Sequence, residues 1–208
     1  MNITLFGATG MLGKQVIDLA VIRDHTVRAF GRNVHEKLPE GRHNLELFKG
    51  YLFQDDDVEA ALEGADAVLS TLGGASDGVD KTRSLGMKKI VAAMEKVGLK
   101  RIVAVGGVGV LNATEETLLF RTAKFPIAYI PVSEEHHEAW QHLAGSSLDW
   151  TFVCPPMIVD APLSGHYATR KDYPVAGTGR VHAGDLAEFM LREMTERKYV
   201  KCRVGISG

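Results

Sequence analysis

Gly7-Ala8-Thr9-Gly10-Met11-Leu12-Gly13 joins two segments of different periodicity. Before it, Asn2 to Phe6 is a short apolar run that reads as a buried strand. After it, Met11, Leu12, Val16, Ile17 and Leu19 fall on one face of a helix from Gly10 to Ala20. The three glycines have separate physical tasks. Gly7 lets the chain turn tightly, Gly10 lets backbone approach a pyrophosphate, and Gly13 lets helix pack closely on strand. The helix start then offers free N–H groups and a positive dipole end to phosphates. A glycine triplet alone is weak evidence, but here the strand and the helix that the motif requires both flank it. The competing reading is a tight turn with no ligand.

Outward from this turn, strands and helices alternate. Strands are expected at Thr26 to Phe30, Leu45 to Lys49, Ala67 to Thr71, Arg101 to Val105, Trp150 to Cys154 and Lys201 to Ile206. Helices are expected at Asp57 to Leu62, Lys81 to Val97, Ser133 to Ala144 and Gly184 to Met194. Gly98 stops the second of these, and Ser133 reads as the N-cap of the third, with Glu134 and Glu135 in its first turn. Between residues 106 and 132 the chain reads as irregular, with a short helical piece after Thr114 and breaks at Pro126 and Pro131. A second irregular stretch, 155–178, carries one short strand near Tyr167. This alternation predicts an α/β, Rossmann-type doubly wound sheet, mostly parallel, with helices on both faces. A small substrate lobe is expected after strands five and six, at the strand ends where such sheets place ligands.

The bulk figures narrow the partners. The 208 residues suit a single domain, read as 1–208, with a full core. A net charge of -2 with mixed signs and no basic stripe argues against nucleic acid. No stretch reads as a leader or a membrane span, which argues against a membrane partner. Cys154 and Cys202 sit in apolar runs with no disulfide framework, so the expected location is cytoplasmic.

The end of the second strand bears on the cofactor. NAD binders usually carry an acid there, whereas this chain has Phe30-Gly31-Arg32-Asn33, with Lys37 beyond. A guanidinium pairs two-pronged with a 2′-phosphate, so Arg32 points to NADP(H), with NAD(H) as the second option. The competing reading is a solvated loop arginine.

GATGMLG, the Arg32 loop, EGADAVLSTLGG, MKKIVAAMEKVGLKRIVAVGG and LDWTFVCPPMIVDAPLSGHY together resemble the atypical short-chain dehydrogenase/reductases. Within them the chain is most similar to the NADPH-dependent flavin reductases and biliverdin reductase B-like proteins, with NmrA-like proteins as the wider group. The resemblance covers Met1 to about Met194. It implies that Gly7, Thr9, Gly10, Met11 and Leu12 hold the pyrophosphate, and that Arg32 and Lys37 hold the 2′-phosphate. It places Tyr51 and Leu52 at the adenine, although many relatives have an acid in place of Tyr51. Leu72, Gly73 and Gly74 would line the ribose side. Gly106 and Gly107 would lie under the nicotinamide ribose, and Cys154, Pro155, Pro156, Met157 and Ile158 would border the nicotinamide.

The sequence also departs from the pattern. The Tyr-x-x-x-Lys pair of the main short-chain dehydrogenase family would fall on Val132 and His136, so it is absent. Tyr167-Ala168-Thr169-Arg170-Lys171 matches it literally, but past the sixth strand, and is read as chance. Val105-Gly106-Gly107-Val108 holds no serine after the fifth strand. His136 lies by position near the nicotinamide, where it would orient substrate or donate a proton, against a plainer reading as a surface or capping histidine. His136, His137 and His142 lack the one-turn spacing of a metal pair, so no metal is expected. Neither cysteine has an activating neighbour. Leu118, Leu119, Phe120, Phe125, Ile127, Tyr129 and Met157 would wall a pocket for a flat molecule, or simply pack the loops.

Three functions fit the resemblance. The first is an NAD(P)H-dependent oxidoreductase of the flavin reductase type, passing a hydride to a small planar acceptor such as a flavin, quinone or linear tetrapyrrole. The others are a non-catalytic NADP(H)-sensing NmrA-like regulator and a sugar-nucleotide epimerase or dehydratase. Fold alone does not choose among them.

Overall fold

Residues 3–6, 67–69 and 102–104 are buried on both sides, which suits only strands in the middle of a sheet covered on two faces. The one polar side chain among them, Thr4, donates its hydroxyl to Ala61 O at 2.7 Å. The computed structural model describes residues 1–208 and places these strands accordingly. In chain order the elements are β1 (Asn2–Phe6), α1 (Met11–Ile22), β2 (Thr26–Gly31), α2 (Val34–Lys37), β3 (Leu45–Lys49), α3 (Asp55–Leu62), β4 (Ala67–Ser70) and α4 (Thr82–Val97). There follow β5 (Arg101–Val105), α5 (Ile130–Ala144), β6 (Asp149–Cys154), β7 (Met157–Val159), β8 (Ala168–Lys171), β9 (Arg180–His182), α6 (Ala183–Glu196) and β10 (Cys202–Ser207).

The main sheet runs β3-β2-β1-β4-β5-β6-β10-β8. Every pairing in it is parallel except that of β8, which lies antiparallel on β10. Strand order reverses between β1 and β4, and at such a point the crevice at the strand ends receives the ligand of an open α/β sheet. One apolar cluster fills the side of α1 and α6, and a second fills the side of α3, α4 and α5. β6 shows the alternation clearly: Val153 joins the first cluster, while Trp150, Phe152 and Cys154 join the second. The fold is therefore the doubly wound Rossmann-like sheet that the alternation predicts. No helix is long and apolar enough to cross a membrane.

Below the strand ends, a buried ion pair ties the sheet to α6. Arg101 on β5 and Glu193 on α6 are 4% and 1% exposed and meet at 3.1 Å. Arg101 also donates to Thr151 Oγ1 at 3.0 Å and to Asp149 O at 2.9 Å, so the charge is enclosed by acceptors.

The structure corrects several local expectations. α5 begins at Ile130, so Ser133 is not its N-cap but a buried residue inside the helix. Pro131 does not break the chain there. It sits in the first turn, where its missing N–H costs no hydrogen bond. The stretch after β5 contains three short 3-10 turns, at Val108–Val110, Leu119–Arg121 and Ile127–Tyr129. A separate parallel pair, β7 with β9, was not expected, because strands of three residues leave too short a pattern to read.

Candidate functional site

The chain leaves β1 through Gly7 at φ +84°, a left-handed conformation that strains any other residue. A Cβ there would also stand 2.5 Å from Thr71 O. Thr71 Oγ1 in turn lies within hydrogen-bond reach of the carbonyls of Gly7 (3.1 Å) and Phe6 (3.2 Å), pinning the turn to the end of β4. Gly10 stands as the N-cap of α1, whose first turn has no capping side chain and no acid. Its first N–H groups therefore remain available to an anion. At Gly13 a Cβ would come 2.8 Å from Ala8 Cα, so helix and turn touch directly. Leu12 is buried in the core and offers only its backbone, whereas Met11 is exposed.

A cleft of about 550 Å³ opens from this turn along the ends of β1, β2 and β3. Of the residues singled out from the sequence, Gly7, Thr9, Arg32, Lys37, Tyr51, Leu52 and Leu72 share its lining. Lys14, Asn33 and Phe53 line it too and were missed. For Lys14 a signal existed, since it stands one turn beyond Gly10 on the same helix. The lining contains three cations, Lys14, Arg32 and Lys37, and no acid. None of the three joins an ion pair within the protein. Such a cleft suits a ligand with several phosphates.

Past β4, Gly73 and Gly74 are exposed just beyond Leu72. Arg83 holds this segment by donating to Gly74 O and Ala75 O, each at 2.8 Å. Hydrogen bonds from Thr82 and Ala75 hold the Asp80 carboxyl down at about 2, so it stays ionised as the anchor of the same loop.

The ends of β5 and β6 form a second hollow. Gly106 N donates to Val153 O at 2.7 Å and Val108 N to Pro155 O at 2.9 Å, which zips the two segments together. Beyond them lies a pocket of about 430 Å³ lined by Val108, Gly109, Phe125, Pro126, Tyr129, Val132, Ser133, Pro156, Met157 and Gly179. Phe125, Tyr129 and Met157 thus stand where a pocket wall was expected. Leu118, Leu119, Phe120 and Ile127 are not in the lining: Phe120 is buried against His137, with ring centroids 5.6 Å apart, and Ile127 faces solvent.

A model of a family described as NAD(P)H-binding matches residues 7–197. The chain belongs to the NAD(P)H-binding family. A Bacillus subtilis relative, the uncharacterized protein YwnB, is 27% identical over 202 residues, covering 93% of this chain and 92% of that one. Other curated relatives are longer, and the chain spans only 41% to 52% of their length. Among solved structures, a Burkholderia pseudomallei protein provisionally named as exported is 29% identical, with full coverage of both chains and a TM-score of 0.87. A Streptococcus pneumoniae protein provisionally named an NADH-flavin reductase is 25% identical, covering 99% of this chain and 98% of that one, with a TM-score of 0.80.

Within this NAD(P)H-binding protein, two sequence-based placements need correction. Cys154 points into the core and is fully buried, its thiol directed at Phe152 O and pushed up by burial. It cannot border a bound ring by its side chain, and Pro155 is buried as well. Pro156 and Met157 reach the pocket, while Ile158 packs against the core on the α1 and α6 side. His136 is neither a surface nor a capping histidine. Its ring lies against Gly107, and its Nδ1 is buried without a partner. Burial first, and the nearby Arg83 charge second, pull its pKa down to about 3. The imidazole is therefore neutral near pH 7 and has no imidazolium proton to donate. The Tyr167–Lys171 match lies on the edge strand β8 and just before it, and Tyr167 is bound to Glu188 on α6. His136, His137 and His142 belong to no cluster of metal-ligating side chains.

Proposed function

We propose that the protein is a reductase that uses NAD(P)H to pass a hydride to a flat, conjugated acceptor, a flavin, a quinone or a linear tetrapyrrole. One observation carries this reading. The apolar pocket begins at Val108, one residue past Gly107, where the resemblance puts the nicotinamide ribose. An acceptor seated on Phe125, Tyr129 and Met157 would lie beside the nicotinamide, and proximity is the main requirement for hydride transfer to a conjugated ring. The bound cofactor supplies the hydride itself.

In this reading the turn from Gly7 to Leu12 holds the pyrophosphate, Tyr51 and Leu52 flank the adenine, and Leu72 to Gly74 face the ribose. Arg32 and Lys37, with Lys14, favour NADP(H) over NAD(H), because each is an unpaired cation on the cleft. His136 supports Gly107 from beneath and moves no proton. Free, buried Cys154 and Cys202 suit a reducing cytoplasm. The Streptococcus pneumoniae likeness supports the acceptor class.

The test is loss of NADPH absorbance in the presence of riboflavin, a quinone or biliverdin. Oxidation that depends on both protein and acceptor is expected. One specific observation favours a second reading, a non-catalytic NADP(H) sensor: Val132 and His136 occupy the positions of the Tyr and Lys pair. Tight NADPH binding with no turnover on any acceptor would establish that reading instead.

A further inference from the structure

The acceptor pocket has two properties that narrow its ligand further. Every lining residue is uncharged. The charged residues adjacent to the lining in sequence, Lys124, Glu134 and Arg180, are exposed and stand outside it. A phosphate or carboxylate on the ligand would find no cation in the pocket wall. The second property is a hydroxyl on a residue that is itself buried. Ser133, only 4% exposed, lines the pocket; its hydroxyl makes no hydrogen bond within the protein, and its oxygen keeps access to solvent. A hydroxyl free of protein partners at the pocket wall is open to a ligand atom that takes the place of solvent.

We infer, building on the reductase reading, that the pocket takes an uncharged, carbonyl-bearing ring system and that the Ser133 hydroxyl donates a hydrogen bond to the ring carbonyl. Quinones and flavins without a phosphate tail have this chemistry. FMN and a tetrapyrrole dicarboxylate carry anionic groups that the pocket leaves in solvent. Tyr129 and Phe125 supply the aromatic faces, and Ser133 on α5 fixes the ring's orientation. In the reaction the ring gains a hydride from the reduced nicotinamide and a proton from water. NADPH, a proton and the quinone become NADP⁺ and the hydroquinone, and no further reductant is required.

The test is binding first and turnover second. Riboflavin and FMN are titrated into the 208-residue protein saturated with NADP⁺, and quenching of flavin fluorescence gives each affinity at low and high salt. The expected result is riboflavin binding at least as tightly as FMN, with neither weakened by salt. Ser133→Ala should weaken riboflavin about fivefold, the loss of one neutral hydrogen bond, while NADP⁺ affinity stays unchanged. Met157→Lys, at an exposed lining position, should turn the preference toward FMN. FMN binding more than tenfold tighter than riboflavin and weakening with salt would overturn the inference, as would unaltered riboflavin affinity in Ser133→Ala. Binding of NADP⁺ with no binding of riboflavin, FMN or a naphthoquinone would overturn the reductase reading itself.

Discussion

The ring of His136 rests on the backbone of Gly107. A Cβ built at Gly107 would stand 2.8 Å from Cδ2 of that ring and 3.2 Å from Nε2. Gly107→Ala therefore forces a half-buried imidazole to move, and overpacking of this kind costs about 1–3 kcal/mol. Urea denaturation should show that loss. Adding His136→Ala should restore much of it, because the two changes share one contact. Strict additivity in the double variant would mean that the contact is not the cause.

The same histidine makes stability depend on pH. In the unfolded chain His136 takes up a proton below an ordinary value of 6.5, whereas burial in the fold holds it down to about 3. Above 6.5 both states are neutral and the group has no effect. As pH falls from 6.5 toward 3, the unfolded state binds a proton that the fold refuses, and stability is lost. His25, His137 and His142 are lowered mainly by burial too, and act in the same direction. Melting temperature should fall with acidification across this window, and His136→Phe should make the fall shallower. A slope identical to that of the wild type would refute the assignment.

Arg32 is exposed on the cleft with no partner of its own, so its removal leaves nothing else uncompensated. Arg32→Ala should weaken NADPH binding by about tenfold or more, the scale of a charge-assisted hydrogen bond, and leave NADH nearly unaffected. Calorimetric titration of both cofactors gives the ratio directly. Equal losses would place the 2′-phosphate elsewhere.

Arg101, at the start of β5, and Glu193 form a buried pair. Glu193→Gln or Arg101→Met leaves one charge enclosed without its counterion, a change worth about 3–5 kcal/mol. Replacing both with apolar residues should cost clearly less. Chemical denaturation of the three variants tests this, and a double variant no better than the singles would show that Thr151 and the surrounding carbonyls, rather than the ion pair, carry the stability.

Much of this fold was legible because parallel strands buried on both faces leave continuous apolar runs, as at residues 3–6 and 102–104. The glycine turn was legible because Gly7 and Gly13 meet backbone at distances no side chain tolerates. Elsewhere, local signals misled. Ser133 resembles an N-cap, yet Pro131 lets α5 start a turn earlier and carries Ser133 into the pocket wall. Cys154 was assigned to the nicotinamide by likeness, although its alternation with Trp150 and Phe152 already assigned it to the core. The short pair β7 and β9 brings Gly179 beside Met157, a contact across 22 residues of chain that no local pattern encodes.

The two hollows are built from different material. The proposed cofactor cleft is made by turns that leave the eight-stranded sheet directly, so its shape is bound to the packing of the whole core. The proposed acceptor pocket is walled by 3-10 turns, the start of α5 and the small β7–β9 pair, all outside that sheet. Exchange of Phe125, Tyr129 or Met157 leaves every hydrogen-bonded ladder of the main sheet in place. On the proposed function, acceptor preference can thus drift in evolution at little cost to folding, as can the contact at exposed Arg32, while the glycine turn stays tied to the architecture.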